Sequence, residues 1–356
     1  MTPKFHTLKV KDLIKETEDT VSVEFLVPAE LESDYKFLPG QYLTIKANVD
    51  KEEIRRSYSL CVAPFENQLK VAIKKVEGGQ FSTFANNELK IGDELDVMTP
   101  MGKFTTSIDF TKARNHIFFA AGSGITPILS LIKALLNEEP ESQITLIYGN
   151  KNFTSIIFRE EIESLKNTHM DRFRVIHVLS RESLGNTLQK GRIDKEKCQD
   201  LNKAFFDVNN IDSVFICGPE EMIFSVKEVM ENEGMESSKI HFELFTTVGQ
   251  KINVVETPKD EKEVFAKVKV ILDGDEVDLD IGSHGTSILD AAYDAGMDVP
   301  FACKGGVCCT CKAKVLEGSV RMDVNYALEP DEVKEGYILT CQSHPTSEKL
   351  IVTFDE

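Results

Sequence analysis

Nine consecutive residues, Cys303-Lys304-Gly305-Gly306-Val307-Cys308-Cys309-Thr310-Cys311, and a lone Cys341 carry the most specific chemistry in the chain. Read as C-x4-C-x2-C, followed after 29 residues by a fourth cysteine, they have the spacing by which thiolates hold a [2Fe–2S] centre. Each ferric iron takes two soft thiolate ligands, so Cys303, Cys308 and Cys311 from one loop must converge with Cys341 from a distant strand. Gly305 and Gly306 let the loop wrap closely and aim amide N–H groups at sulfur. The alternatives are a zinc site or a disulfide framework, but zinc sites pair two C-x2-C halves, and here one cysteine stands clear and the fourth stands alone. Cys309 is not needed by the pattern and reads as a free thiol on the loop.

Phosphate chemistry is written earlier in the chain. In Arg56-Ser57-Tyr58-Ser59, which ends a loop and enters a strand, alternation puts Arg56 and Tyr58 on one face and Ser57 and Ser59 on the other. Val71-Ala72-Ile73-Lys74 then leads to Gly78-Gly79-Gln80-Phe81-Ser82, a glycine-rich turn opening a short helix, whose unpaired N–H groups and dipole favour an anion. Alone, that turn is an ordinary capped helix; its company makes it specific. Ala121-Gly122-Ser123-Gly124-Ile125-Thr126-Pro127 leaves a strand, with glycines for close approach to phosphate and Pro127 at a helix start. It is less than the full dinucleotide fingerprint.

The elements that must hold these residues fall into three groups. Residues 4 to about 108 contain six short runs rich in β-branched and aromatic residues, separated by turn signals such as Leu38-Pro39-Gly40 and Ile91-Gly92-Asp93, a spacing that predicts an antiparallel barrel. From about Lys112 to Thr246, apolar strands alternate with helical patterns at Pro127 to Leu136, Ile156 to Leu165 and Pro219 to Glu231. This predicts a doubly wound α/β unit with its ligand beyond the carboxyl ends of the strands. Tyr148-Gly149-Asn150, Ser180-Arg181-Glu182 and Cys217-Gly218-Pro219 lie at such ends, and His241-Phe242-Glu243-Leu244-Phe245 closes the unit. Val248 to Glu263 is charged and holds Gly249 and Pro258, reading as a tether. Beyond it come a hairpin around Asp273-Gly274-Asp275, a helix at Ser287 to Gly296, the cysteine loop and a last strand at Leu350 to Phe354.

Composition narrows the field. The 356 residues, 41% of them hydrophobic, suffice for two or three domains with their own cores. The start of the chain lacks an apolar run of the signal-peptide kind, and Ile125 to Leu136, interrupted by Lys133, is too short to span a bilayer, so a soluble, cytoplasmic protein with no membrane partner is expected. Eight cysteines there suggest metal or redox chemistry. The net charge of −18 argues against nucleic acid. It is concentrated: Glu263 to Glu356 holds 18 acidic and 8 basic residues, read either as a solvated surface or as a face that steers a complementary partner.

With R-x-Y-S, the following G-x-x-S, the G-x-G-x-T-P turn and Cys-Gly-Pro in this order, the chain resembles the ferredoxin–NADP⁺ reductase superfamily, here with a plant-type ferredoxin unit at the C-terminal side. The resemblance implies an FAD-binding β-barrel at 1–110, an NAD(P)-binding α/β domain at 111–247, a linker at 248–263 and a β-grasp [2Fe–2S] ferredoxin domain at 264–356. It implies that Arg56 pairs with the FAD pyrophosphate, Tyr58 packs on the flavin ring and Ser59 hydrogen-bonds near N5. Ile73 and Lys74 would contact the cofactor, and Gly79, Phe81 and Ser82 would line its pyrophosphate. For the nucleotide it implies Gly122, Gly124, Thr126, Cys217, Gly218 and Pro219, with Thr126 and Cys217 near the nicotinamide. Ser180-Arg181 resembles the recognition site for an adenosine 2′-phosphate, which leads to an expectation of NADPH over NADH, with Arg192 assisting and Glu182 opposing. Glu243 and Phe245 would sit beside the flavin, so that Ser59, Cys217 and Glu243 are the candidate catalytic groups.

Over the whole chain the order flavin, nucleotide, ferredoxin, with Phe301 to Cys308, Asn325 to Glu329 and Gly336 to Gln342, is similar to the reductase components of phenylacetyl-CoA epoxidases. That family more often carries a small residue where this chain has Cys309. The likeness implies transfer of electrons from NADPH through FAD and the cluster to a di-iron oxygenase acting on an aryl-CoA thioester in phenylacetate degradation. Two other readings stay open: a reductase for a different hydroxylase or an NADH-linked ferredoxin-type reductase, and a non-enzymatic metal-binding or electron-carrier protein.

Overall fold

A computed structural model of the chain describes residues 4–245 and 263–355. The tether expected over 248–263 lies outside the described residues except for Glu263. The described strands form three large sheets and a two-stranded ribbon.

Strands β1 (Phe5–Thr17), β2 (Thr20–Leu26), β3 (Tyr42–Val49), β4 (Glu52–Ser59), β5 (Leu69–Lys74) and β6 (Glu94–Met98) form an antiparallel sheet in the order β4-β3-β6-β1-β2-β5. Its edges curl together where Leu60 bridges Val71 and the Cys61 amide donates to Lys70 O at 3.0 Å. The curl buries alternate residues, among them Val23, Leu43, Ile45, Val71 and Ile73, which is why these runs show period-two apolar patterning. Helix α1 (Gln80–Asn87) adds Phe81 and Ala85 to the same core.

The second sheet is wholly parallel: β7 (Asn115–Ala121), β8 (Gln143–Asn150), β9 (Phe173–Leu179), β10 (Ser213–Gly218) and β11 (Ile240–Leu244) in the order β11-β10-β7-β8-β9. Helices α2 (Ile125–Glu138) and α3 (Arg159–Thr168) pack on one face, α4 (Lys195–Phe205) and α5 (Glu220–Asn232) on the other. Strand order reverses between β7 and β10, which places the ligand crevice of such a sheet at their carboxyl ends. Every residue of α2 from Ile125 to Leu136 is buried, because the helix lies between the sheet and the barrel. A helix apolar all round is accounted for by burial on all sides. Its Ser130 hydroxyl donates to Val62 O at 2.6 Å and accepts from the Gly40 amide at 3.3 Å, tying it to barrel loops.

The third sheet holds β12 (Phe265–Leu272), β13 (Asp275–Gly282), β14 (Lys312–Glu317), β16 (Tyr337–Leu339) and β18 (Lys349–Thr353) in the order β13-β12-β18-β14-β16, with β12 and β18 parallel. Strands β15 (Val320–Met322) and β17 (Ser343–Pro345) form the ribbon. Helix α6 (Ile288–Asp294) packs under the sheet, capped by Ser287, and α7 (Pro330–Lys334) precedes β16. The first hairpin turns on Asp273 (φ 52°) and Gly274 (φ 82°), the positive pair that a two-residue hairpin requires. This is the β-grasp arrangement. No helix among the described residues is long and apolar enough to cross a membrane.

Candidate functional site

Arg56-Ser57-Tyr58-Ser59 forms the last four residues of β4; the strand begins at Glu52, before the motif rather than within it. The expectation that the motif enters a strand is corrected by register: β4 pairs with β3 along its whole length, from Val49↔Glu52 to Tyr42↔Ser59, and exposed Glu52 and Glu53 mask the strand pattern. The Arg56 guanidinium donates to Arg55 O at 2.7 Å. Across from it, Gly79 caps α1, where a Cβ would meet Ser82 Oγ at 2.6 Å. Ser82 Oγ donates to Gly79 O and accepts from the Val76 amide, so its hydroxyl closes the turn. Ile73 is different: its side chain lies fully within the barrel core, and its carbonyl accepts from Asn86. It is not among the residues that line the cavity beside Arg56 and Gly79.

A cavity of about 140 Å³ is lined by Arg56, Tyr58, Ser59, Lys74, Gly79, Phe81 and Ser82 from the barrel, by Ser123 and Thr126 from the parallel sheet, and by Phe245. Ser59 Oγ donates to Glu243 Oε2 at 3.1 Å across the domain boundary. Burial pushes the Glu243 carboxyl up to about 8, against the partial relief of that hydrogen bond. In the parallel register Glu243 pairs with Cys217, whose thiol is raised well above its ordinary range by burial and by the neighbouring carboxyl.

At the carboxyl ends of β7 and β10 the two strands touch. A Cβ at Gly124 would strike the Cys217 carbonyl oxygen, so glycine is required there, and one at Gly218 would press on Met222 Cε, which can move, and on Ala121 at 3.1 Å. Gly122 adopts φ 54°, Thr126 Oγ1 donates to Ser123 O at 3.0 Å, and Pro219 leads into α5. Ser180 and Arg181 leave β9, their amides donating to Asn150 O and Lys151 O, with the Arg181 side chain in solvent. Glu182 turns away: its carboxylate accepts from the Phe153 amide at 2.8 Å.

The cysteines come together as two pairs. Cys303 and Cys308 lie with sulfurs 3.1 Å apart, and Cys311 is hydrogen-bonded to Cys341, which raises its thiol well above the ordinary range. The Cys303 thiol is brought down to about 6 by the Cys308 hydrogen bond first and by the amides of Gly305, Val307 and Cys308. Lys304 (φ 49°) and Gly306 (φ 72°) turn the loop, and a Cβ at Gly306 would meet Val324 O at 2.8 Å. Thr340 donates to Cys311 O through both its amide and its hydroxyl, fastening the segment of Cys341 to the loop. An all-sulfur donor set with amides turned toward sulfur fits a [2Fe–2S] cluster. Cys309, read from the sequence as a free thiol on the loop, is buried against the barrel rather than out on the loop surface.

A larger cleft of about 630 Å³ is walled by Arg56, Ser59, Glu243 and Phe245 at one end and by Phe301 to Gly305, Val307 and Cys308 at the other. Sequence reasoning missed the residues that hold this cleft together. Arg55 is buried, donates to Asp298 (2.6 Å), Glu53 and Val299 O, and lies 4.4 Å from the Phe301 ring centroid. Tyr42 reaches Cys309 and Thr310. A second arginine beside Arg56 was the one signal available.

A barrel carrying R-x-Y-S, a parallel sheet open at its switch point and a β-grasp unit that gathers four cysteines define a flavin- and iron–sulfur-dependent oxidoreductase. Family models agree: "Oxidoreductase FAD-binding domain" matches residues 7–106, "Oxidoreductase NAD-binding domain" 118–228 and "2Fe-2S iron-sulfur cluster binding domain" 270–346. The chain is 42% identical over 351 residues to a component of the 1,2-phenylacetyl-CoA epoxidase of Escherichia coli (strain K12), covering 99% of this chain and 98% of that one. It is 32% identical to the ferredoxin reductase component of 3-ketosteroid-9-alpha-monooxygenase of Rhodococcus rhodochrous, with 98% and 96% covered. Phthalate dioxygenase reductase, a solved structure described as modular for electron transfer from pyridine nucleotides to [2Fe–2S], shares the fold at a TM-score of 0.59 and 24% identity, covering 98% of each chain. The chain belongs to this family of three-domain reductase components, with domains for FAD, a nicotinamide nucleotide and a [2Fe–2S] cluster.

Proposed function

We propose that this protein is the NADPH-dependent reductase of a di-iron oxygenase, phenylacetyl-CoA epoxidase, working in the cytoplasm in phenylacetate degradation. The observation that carries the electron path is the single cleft joining the R-x-Y-S strand, Glu243 and Phe245 to the cysteine loop. The acceptor rests on the 42% identity with the Escherichia coli epoxidase component. When bound, the flavin accepts a hydride from the nucleotide and the cluster passes electrons singly, which is the chemistry the cofactors bring.

The chain's own residues bind and align. Arg56 suits the pyrophosphate of FAD, its planar fork matching phosphate oxygens, with Gly79 and the start of α1 beside it and Lys74, Phe81 and Ser82 completing the cradle. Tyr58 and Phe245, which line the same cavity, would pack on the flavin ring, and Ser59, held by Glu243, would hydrogen-bond near its N5. Gly122, Gly124, Gly218 and Pro219 let the nucleotide approach the strand ends, with Thr126 and Cys217 at the nicotinamide. Cys303, Cys308, Cys311 and Cys341 hold the cluster.

Ser180 and Arg181 select NADPH. Because Glu182 is committed to the Phe153 amide, the acid beside Arg181 no longer argues against a 2′-phosphate. Arg181→Ala is expected to raise the NADPH KM about 10- to 100-fold, the worth of a hydrogen bond to a charged group, and to leave NADH unchanged. Equal loss for both nucleotides would show that the phosphate is not read there.

Purified protein should show flavin and [2Fe–2S] absorption, and should support oxygenase turnover on phenylacetyl-CoA when mixed with the di-iron component. Absence of coupling to any such component would sink the epoxidase assignment. The second reading, a reductase for another oxygenase, is favoured by the 32% identical 3-ketosteroid-9-alpha-monooxygenase relative, and the same assay separates the two.

A further inference from the structure

The outer face of the β3–β4 ribbon carries four hydroxyl side chains in register: Tyr42 opposite Ser59 and Thr44 opposite Ser57. At one corner Ser59 meets Glu243 of the nucleotide domain. At the other the ribbon meets the cluster loop. The Tyr42 hydroxyl oxygen accepts the Cys309 amide N–H at 3.2 Å and lies 3.2 Å from Thr310 Oγ1 and 3.3 Å from Cys309 Sγ. Thr44 Oγ1 bridges Thr310 Oγ1 (3.4 Å) and Ser57 Oγ (3.1 Å). Tyr42, Thr44, Cys309 and Thr310 are all buried, and no other side-chain hydrogen bond among the described residues joins the ribbon face to this loop. A continuous hydroxyl chain therefore runs from Ser57, one residue from Tyr58, to Thr310, one residue from the ligand Cys311.

We infer that Tyr42 and Thr44 are positioning residues for internal electron transfer: they grip the Cys309–Thr310 corner and so fix the cluster loop against the flavin strand. This rests on the cofactor assignments proposed above. One electron leaves the reduced flavin and enters the oxidised cluster; no bond forms or breaks at these residues, which set only the separation and the connecting path. The rate of such a step falls steeply with distance, so a hydrogen-bonded clamp of four small groups is enough to control it. The fifth cysteine of the loop gains a purpose in the same geometry. Cys309 is a compact thiol packed under the Tyr42 hydroxyl at the interface, where a larger side chain would push the loop away, and its backbone N–H is the donor that Tyr42 receives.

The test uses the full holoprotein with Tyr42→Phe, Thr44→Val and Thr44→Ser. Stopped-flow absorbance separates flavin reduction by NADPH from flavin-to-cluster transfer, and peptide-resolved hydrogen exchange follows the Cys309–Thr310 amides. Tyr42→Phe and Thr44→Val are expected to slow the second step on the order of tenfold, since small misplacements of reacting groups cost up to ~100-fold. They should leave the flavin reduction rate and the NADPH KM unchanged and should speed exchange at the Cys309–Thr310 peptide. Thr44→Ser, which keeps the hydroxyl, should behave as the unmodified protein. Should Tyr42→Phe fail to fold, the Thr44 pair carries the same comparison. Unchanged transfer and exchange in Thr44→Val, or loss in Thr44→Ser equal to that in Thr44→Val, would overturn the inference. A protein lacking flavin or cluster absorption would instead defeat the cofactor reading.

Discussion

The two interfaces of the barrel are built by opposite means. Toward the nucleotide domain it shares one apolar core: Cys61, Ala72 and Phe104 join Ile125 to Leu136 of α2 and Phe215 of β10 in a single cluster, and Phe104 meets Phe215 edge-on at 5.6 Å. Toward the ferredoxin domain it uses polar contacts: the Arg55 set, the Tyr42–Thr44 hydroxyls and the Lys103–Glu332 pair. The apolar group shared there is small, Tyr42 and Met101 against Ala302, Cys308 and Cys309. Large apolar interfaces hold domains in one arrangement, whereas polar ones resemble transient contacts. Hydride transfer needs a fixed geometry between nucleotide and flavin. The ferredoxin domain, proposed to pass electrons to a separate oxygenase, is held by a contact with little apolar area.

The largest effect is expected at the fixed interface. Burial pulls the Lys133 ammonium down, but Glu161 and Glu66 outweigh it and keep it charged, bound to both carboxylates and to Cys61 O. Lys133→Ala should destabilise the barrel and nucleotide domain together by about 3 kcal/mol, the low end for a buried pair because Glu66 and Glu161 retain some water. Calorimetry should show one shifted transition for both. Separate shifts for the two units would break the comparison.

A smaller effect is expected at the polar interface. Arg55→Ala removes the guanidinium shared by Asp298, Glu53 and Val299 O and should weaken docking of the ferredoxin domain by about 2 kcal/mol, or roughly 30-fold. Small-angle scattering should report a larger radius of gyration, with the melting of the other two domains unmoved. A fall in their melting temperature would mean that this contact, too, belongs to a shared core.

Much of this was legible in sequence where the determining pattern is local. The bounds of β5, β6 and β12 follow from period-two apolar runs, and the cysteine spacing reflects a ligand geometry set within one loop. Helix α4 was not legible, because only Cys198, Leu201 and Asn202 of its eleven residues are buried and the rest read as polar loop. β4 was placed late because its first two residues are acidic and its key residue, Arg55, is a buried charge. The residues that define the polar interface were invisible for a plainer reason: Tyr42 and Cys309 are 267 positions apart and Arg55 and Asp298 243, so nothing in either neighbourhood announces the other.

The smallest expected effect lies where the fixed interface meets the chemistry. Glu243, its carboxyl raised from 4.5 to about 8 chiefly by burial, keeps its proton in the folded protein over a range in which the unfolded chain has lost it. Stability therefore declines as pH climbs between those values and is level below and above them, and Glu243→Gln removes that slope. Function follows the same titration. On the proposed placement of Ser59 beside the flavin, ionisation turns the Ser59–Glu243 hydrogen bond into a charge-assisted one and draws the hydroxyl proton toward the carboxylate. The rate of flavin reduction by the nicotinamide nucleotide should fall about fivefold through a midpoint near pH 8, the worth of one neutral hydrogen bond of about 1 kcal/mol, and Glu243→Gln should flatten the profile. Flavin-to-cluster transfer should show no such inflection, because the Tyr42 and Thr44 contacts to Cys309 and Thr310 do not include Glu243. An inflection shared by both steps would mean that the two interfaces are coupled through the ribbon rather than built to act apart.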